Sequence, residues 1–147
     1  MLFRSSLRRV ARAAEEWTRG RPDAARAGFP RWTTHERLQF LRRLPPAPSA
    51  EQLRSLDRDF QLTRSTNVEI AFQWLLMAIR GGYAPADDRL EEFLVGIGRR
   101  KFIKPLYEEL VKTDGGRQRA RDIYRKARPG YHPIAVDTVD RIVESGV

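Results

Sequence analysis

Residues 67–82, NVEIAFQWLLMAIRGG, contain the most apolar run of the chain, and their reading decides its class. The run has no internal proline or glycine, so it predicts a helix that must be buried over much of its surface. Thr66 and Glu69 stand before it at capping-box spacing, and Gly81–Gly82 end it. Trp74 and Leu75, in the middle of the run, are expected in the core.

Helix signals of the same kind recur on both sides. Upstream, TTHERLQFLRRL opens with Thr33 and Glu36 at capping-box spacing and carries Leu38, Leu41 and Leu44. After the break PPAPS, Ser49 and Gln52 form a second box ahead of Leu53, Leu56 and Phe60. The opening stretch, MLFRSSLRRVARAAEEW, superficially resembles a transit peptide. Leu7, Val10, Ala14 and Trp17 nevertheless fall on one helical face, and Glu15–Glu16 spoil the acid-poor signature, so a first structural helix is the better reading.

Downstream, Pro85 and Asp87 start a helix with Leu90, Phe93, Leu94 and Ile97 facing inward. Another is expected from about Phe102 to Lys112, with Leu106 and Leu110 on its apolar side. Gly115–Gly116 are expected to separate it from RQRARDIYRKA, which Pro129–Gly130 end. His132 and Pro133 then begin a last helix striped by Val136, Val139 and Val143. The whole is an all-α chain of about eight short helices joined by brief turns, expected as one compact unit, with no fixed repeat period.

Composition narrows the function classes. A chain of 147 residues, 41% hydrophobic, is long enough for one domain with a real core. The absence of cysteine removes disulfides and thiolate metal sites and fits a reducing compartment, so a cytoplasmic location is expected. No apolar run reaches membrane-spanning length, and no membrane partner is expected. The formal charge of +9 attracts anions of every kind, from nucleic acid to carboxylate ligands or an acidic protein partner.

Catalytic motifs are missing. HERLQ, from His35, approaches the H-E-x-x-H zinc motif but has Gln39 where the second imidazole belongs, and the remaining histidine, His132, starts a different helix. The carboxylate pairs Asp87–Asp88, Glu91–Glu92 and Glu108–Glu109 are adjacent in helices, where neighbours do not face each other. No phosphate-cradling loop or nucleophile elbow is present. The chain is expected to perform no reaction alone and to hold no metal. Trp17, Trp32 and Trp74 are read as packing residues rather than base-stacking platforms, and nucleic acid is disfavoured because no recognised module accompanies the charge.

One basic stretch stands apart. In VGIGRRKFIKPLYEEL, from Val95, Arg99, Arg100 and Lys101 crowd the start of a helix, where unpaired N–H groups and the macrodipole already supply positive charge. Pro105 tolerates a first-turn position, which leaves Arg99 to Lys101 in an extended connection. Residues two apart in extended chain share a side, so Arg99 and Lys101 converge while Arg100 faces away. Two cations beside helix N–H groups suit a carboxylate; a solvated basic loop is the alternative.

These residues carry a family resemblance. The pattern Gly98-Arg99-x-Lys101-Phe102-x-Lys104-Pro105-Leu106, with NVEIAFQWLLMAI upstream and His132-Pro133 downstream, resembles the C-terminal helical domain of leukotriene A hydrolase and its zinc aminopeptidase relatives. The resemblance is strongest from Asn67 to Leu106 and extends more loosely over nearly the whole chain. It implies a single C-terminal helical domain over 1–147, built as a two-layered armadillo- or HEAT-like α-α superhelix. It also implies that this domain packs, in cis or in trans, on a zinc catalytic domain absent from this chain, so that zinc is a cofactor of the parent enzyme only. By position, Arg99 and Lys101 take the role of binding the free carboxylate of a peptide substrate. The rival classes are a standalone helical scaffold for an acidic protein partner and, behind it, a nucleic-acid-binding module.

Overall fold

A computed structural model describes residues 2–145; residues 1, 146 and 147 of the expected 1–147 domain lie outside the described residues. Among the described residues every regular element is helical, and the protein is all-α. Nine α-helices follow in order: α1 Leu2–Thr18, α2 Asp23–Gly28, α3 Thr34–Arg43, α4 Ala50–Phe60, α5 Val68–Arg80, α6 Asp87–Gly96, α7 Arg100–Leu110, α8 Asp114–Ala127 and α9 Pro133–Ser145. Single 3-10 turns lie at Phe29–Arg31, Ala84–Ala86 and Arg128–Gly130. The helix beyond the expected eight is α2, whose six residues are too few to show an apolar stripe. No described helix is long and apolar enough to cross a membrane. The chain forms two compact units, Met1–Tyr83 and Ala84–Val147.

In the first unit, α1 packs on α2 and α3, and α3 packs on α5. Val10, Ala13, Ala14 and Trp17 of α1 enter one apolar cluster with Phe40, Leu41, Leu53, Leu56, Trp74 and Met77. Full burial of each large side chain contributes about 1.5–3 kcal/mol, so α1 is held as a structural helix. Trp32 is partly buried against the same cluster, with its ring 5.3 Å from that of Phe40. Trp17 and Trp32 therefore pack helix joints.

Two of the three expected capping boxes form. The Thr33 N–H donates to Glu36 Oε1 at 2.8 Å, and the Glu36 N–H returns a bond to Thr33 Oγ1 at 3.2 Å. The first of these bonds is the main reason the Glu36 carboxyl titrates below its ordinary value. Ser49 and Gln52 make the same reciprocal pair at α4. The third box does not form. Helix α5 starts one residue later, and Asn67 caps it by accepting the Ile70 N–H at 3.1 Å. Asparagine caps as well as threonine, and its Nδ2 also donates to Thr34 Oγ1 at 3.2 Å, tying α5 to α3.

Trp74 and Leu75 are both fully buried. The Trp74 indole N–H donates to Thr63 Oγ1 at 3.0 Å, and the Thr63 hydroxyl donates to Asp57 Oδ2 at 2.8 Å. The Tyr83 hydroxyl donates to the same Asp57 oxygen at 2.9 Å. Burial, reinforced by Asp57, pushes the Tyr83 phenol up to about 12, so it keeps its proton as donor.

In the second unit, α6 packs on α8 and α7 packs on α9, with α7 and α8 also in contact. This pairing of each helix with the next but one is the local pattern of stacked helix pairs. Gly115 and Gly116 do not separate two helices. They lie inside the first turn of α8, where Thr113 Oγ1 accepts the Gly116 N–H at 3.0 Å. A Cβ on Gly116 would lie 1.9 Å from the Leu110 carbonyl oxygen, so glycine is needed for the end of α7 to approach α8.

Candidate functional site

Helix α7 forms because Phe102, Ile103, Leu106, Tyr107 and Leu110 recur at helical spacing, and all five are buried. It begins earlier than Pro105 alone predicts. Arg99 is the N-cap, with φ −76° and ψ 124°, and Pro105 is the sixth residue of the helix. An interior proline costs about 3 kcal/mol. The extra turn buries Phe102 and Ile103, at about 1.5–3 kcal/mol each, and this outweighs the penalty. Lys101 is therefore helical, and the alternation of an extended connection does not relate it to Arg99.

Both cations instead lie against one aromatic ring. The Arg99 guanidinium carbon lies 5.7 Å from the centroid of the Phe102 ring, and Lys101 Nζ lies 5.2 Å from the same centroid. Phe102 is itself held edge-to-face by Phe93, at 6.3 Å and 86°. Arg100 takes a different direction, its Nη1 reaching Thr138 Oγ1 on α9 at 3.4 Å. The first turn of α7 contains no acidic residue, and Arg99 makes no side-chain cap bond. Two positive charges thus lie against one ring at a helix start, where the dipole is also positive, with no acidic residue in that turn. At Gly98 an added Cβ would meet nothing within 4 Å, so the connection leaves open space beside the cations.

A buried hydrogen-bond chain joins the helices of the same unit. The Tyr131 hydroxyl donates to the Leu94 carbonyl oxygen in the last turn of α6. Its single proton is then committed, so the 3.1 Å contact between the Tyr107 and Tyr131 hydroxyls has Tyr107 as donor. Burial raises both phenols; for Tyr107 the bond to Tyr131 adds to the shift, and for Tyr131 the same bond opposes it. The chain ties α6, α7 and the approach to α9. Next to Tyr131, the exposed His132 caps α9, its Nδ1 accepting the Ile134 N–H at 3.2 Å. Neither tyrosine stands out in the sequence as a site residue. The available signal is a hydroxyl set in an apolar stripe, which must find a partner when buried.

Among the described residues, no three His, Cys, Asp or Glu side chains gather into a group that could hold a metal ion.

The family model described as "Leukotriene A4 hydrolase, C-terminal" matches residues 32–143. The chain belongs to that family. Within the leukotriene A4 hydrolase C-terminal family, it is similar to leucine aminopeptidase 2 of Pyricularia oryzae, at 32% identity over 124 residues, 82% of this chain and 20% of the relative. Leucine aminopeptidase 2 of Neurospora crassa is 29% identical over 131 residues, 87% of this chain and 19% of the relative. That of Aspergillus fumigatus is 35% identical over 82 residues, 56% of this chain and 13% of the relative. The chain therefore spans about a fifth of the length of the first two of these relatives. The family match includes Arg99, Lys101 and both tyrosines of the buried chain; it begins after α1 and α2.

Proposed function

We propose that this chain acts, over 1–147, as the single C-terminal helical domain of a zinc aminopeptidase. In this reading it packs on a separate zinc catalytic domain, in cis or in trans, and Arg99 and Lys101 bind the free carboxylate of a peptide substrate. The observation that supports the proposal is that Arg99 and Lys101 lie 5.7 Å and 5.2 Å from the centroid of one ring, Phe102, at a helix start with no acidic residue in its first turn. Arg99 supplies a planar fork that matches both carboxylate oxygens, and Lys101 adds a compact second charge. The chain contributes positioning and support; zinc belongs to the catalytic domain. The lack of cysteine supports a cytoplasmic setting for the assembly.

The test compares Arg99→Ala, Lys101→Ala and Arg100→Ala in the enzyme that contains the catalytic domain, on free-carboxylate peptides and on their amides. Loss of Arg99 or Lys101 should lower kcat/KM on the free acids by about 10- to 150-fold, the equivalent of one charge-assisted contact of about 1.5–3 kcal/mol. The amides should be nearly indifferent, and Arg100→Ala should behave as wild type on both. Equal losses for all three variants on both substrate types would show the cations to be electrostatic background.

A further inference from the structure

The excess charge is not centred on the Arg99 site. Residues up to Tyr83 hold fifteen arginines, no lysine and eight carboxylates, a net +7, which leaves +2 for the second unit. Eight of those arginines, against three acids, precede residue 32, where the family match starts. The added basic surface therefore centres on α1 and its surroundings.

The inner face of α1 is spent on the core, through Val10, Ala13, Ala14 and Trp17. Its outer face lines a groove of about 730 Å3 together with the end of α3. Arg8, Arg12 and Arg19 line it from α1 and Arg43 from α3, with Leu44, Pro45 and Pro46 supplying apolar wall. Arg19 pairs with Glu15 at 2.9 Å. Arg8, Arg12 and Arg43 enter no ion pair among the described residues. Arg43 suits the C-terminal dipole of its helix, but Arg8 and Arg12, mid-helix, have no such local reason.

We propose that this groove docks an extended acidic polypeptide segment, with Arg8 and Arg12 taking alternate carboxylates and Arg43 a third. Arg8 and Arg12 are one turn apart, about 6 Å along the axis. Residues two apart in an extended strand lie on one side at about 6.5–7 Å, so alternate carboxylates meet successive arginines while intervening aliphatic side chains meet Leu44, Pro45 and Pro46. An all-arginine set is suited to carboxylates through its planar forks. A nucleic-acid strand fits less well. The groove offers no aromatic platform for bases, and Glu15 interrupts the positive row. This docking is independent of the carboxylate site proposed above, which lies in the other unit.

The experiment uses the full chain and a short fluorescein-labelled peptide alternating glutamate with leucine, followed by anisotropy at physiological salt. The glutamine counterpart of the peptide, single-stranded DNA and duplex DNA are run beside it. The glutamate peptide should bind and the glutamine peptide should not. Arg12→Ala with Arg43→Ala should weaken binding about tenfold or more, at roughly three- to fivefold per exposed contact. Arg54→Ala with Arg64→Ala removes the same charge from the same unit and should change affinity less than about twofold. All four arginines are exposed, so the variants keep their fold. Equal loss in both pairs, no binding of the glutamate peptide, or tighter binding of either DNA would each overturn the proposal.

Discussion

Tyr131→Phe removes one oxygen and leaves two buried groups without a partner. In the intact chain Tyr107 donates to Tyr131, and Tyr131 donates to the Leu94 carbonyl. Tyr107 is fully buried and Tyr131 nearly so. Without the Tyr131 hydroxyl, the Tyr107 O–H and the Leu94 C=O are both stranded, at about 1–3 kcal/mol each, for a total of about 2–6 kcal/mol. Tyr107→Phe is milder. It removes a donor but leaves the bond from Tyr131 to Leu94 intact, so it should cost only about 0.5–1.5 kcal/mol. The double variant has no stranded phenol and should fall well short of the sum of the singles. Urea unfolding followed by far-UV circular dichroism measures all three. The three tryptophans all lie before Tyr83, so tryptophan fluorescence identifies the part of the transition that belongs to the first unit. Equal costs for the two single variants, a larger cost for Tyr107→Phe, or simple additivity would refute the assigned direction of the chain.

Two further predictions concern the second unit. Gly116→Ala should destabilise by about 1–3 kcal/mol, because its Cβ meets the Leu110 carbonyl, whereas Gly115→Ala, with open space at its Cβ, should be neutral or gain up to about 1 kcal/mol from helix propensity; thermal melts of the two variants decide this. Asp140 accepts a bidentate bond from Arg128, at 3.2 Å to each oxygen, and a bond from Tyr124, which together hold its carboxyl below the ordinary value. A lowered folded-state value stabilises above the unfolded pKa near 3.9 and is lost as pH falls through the folded one. Asp140→Asn should therefore differ most from wild type at neutral pH, and urea midpoints of the two proteins should converge on acidification below about pH 4.

Helix type, order and much of the capping were legible in the residues, because these depend on neighbours a few positions apart. Thr33 with Glu36 and Ser49 with Gln52 form their boxes as spacing predicts, and the apolar stripe around Trp74 is buried as its composition requires. The pattern Gly98-Arg99-x-Lys101 pointed to the family that the match over residues 32–143 shows. Local rules failed where distant contacts outweighed them. Proline at position 105 argued for a later helix start, but burial of Phe102 and Ile103 extends α7 back to Arg100. Two glycines argued for a break, but the close approach of the Leu110 carbonyl makes Gly116 part of α8. Asn67 displaced Thr66 as cap, while also bonding Thr34, 33 positions away.

The sequence by itself determined an all-helical chain and its family, since periodicity and motif are local properties. Only tertiary structure decided that Arg99 and Lys101 both lie against the Phe102 ring and how the helices around that ring are joined. Their shared ring at Phe102 is steadied by Phe93, and the Tyr107–Tyr131–Leu94 chain joins residues up to 37 positions apart. No local pattern encodes such a link, because a buried hydroxyl takes whichever partner the packing of other helices brings within reach.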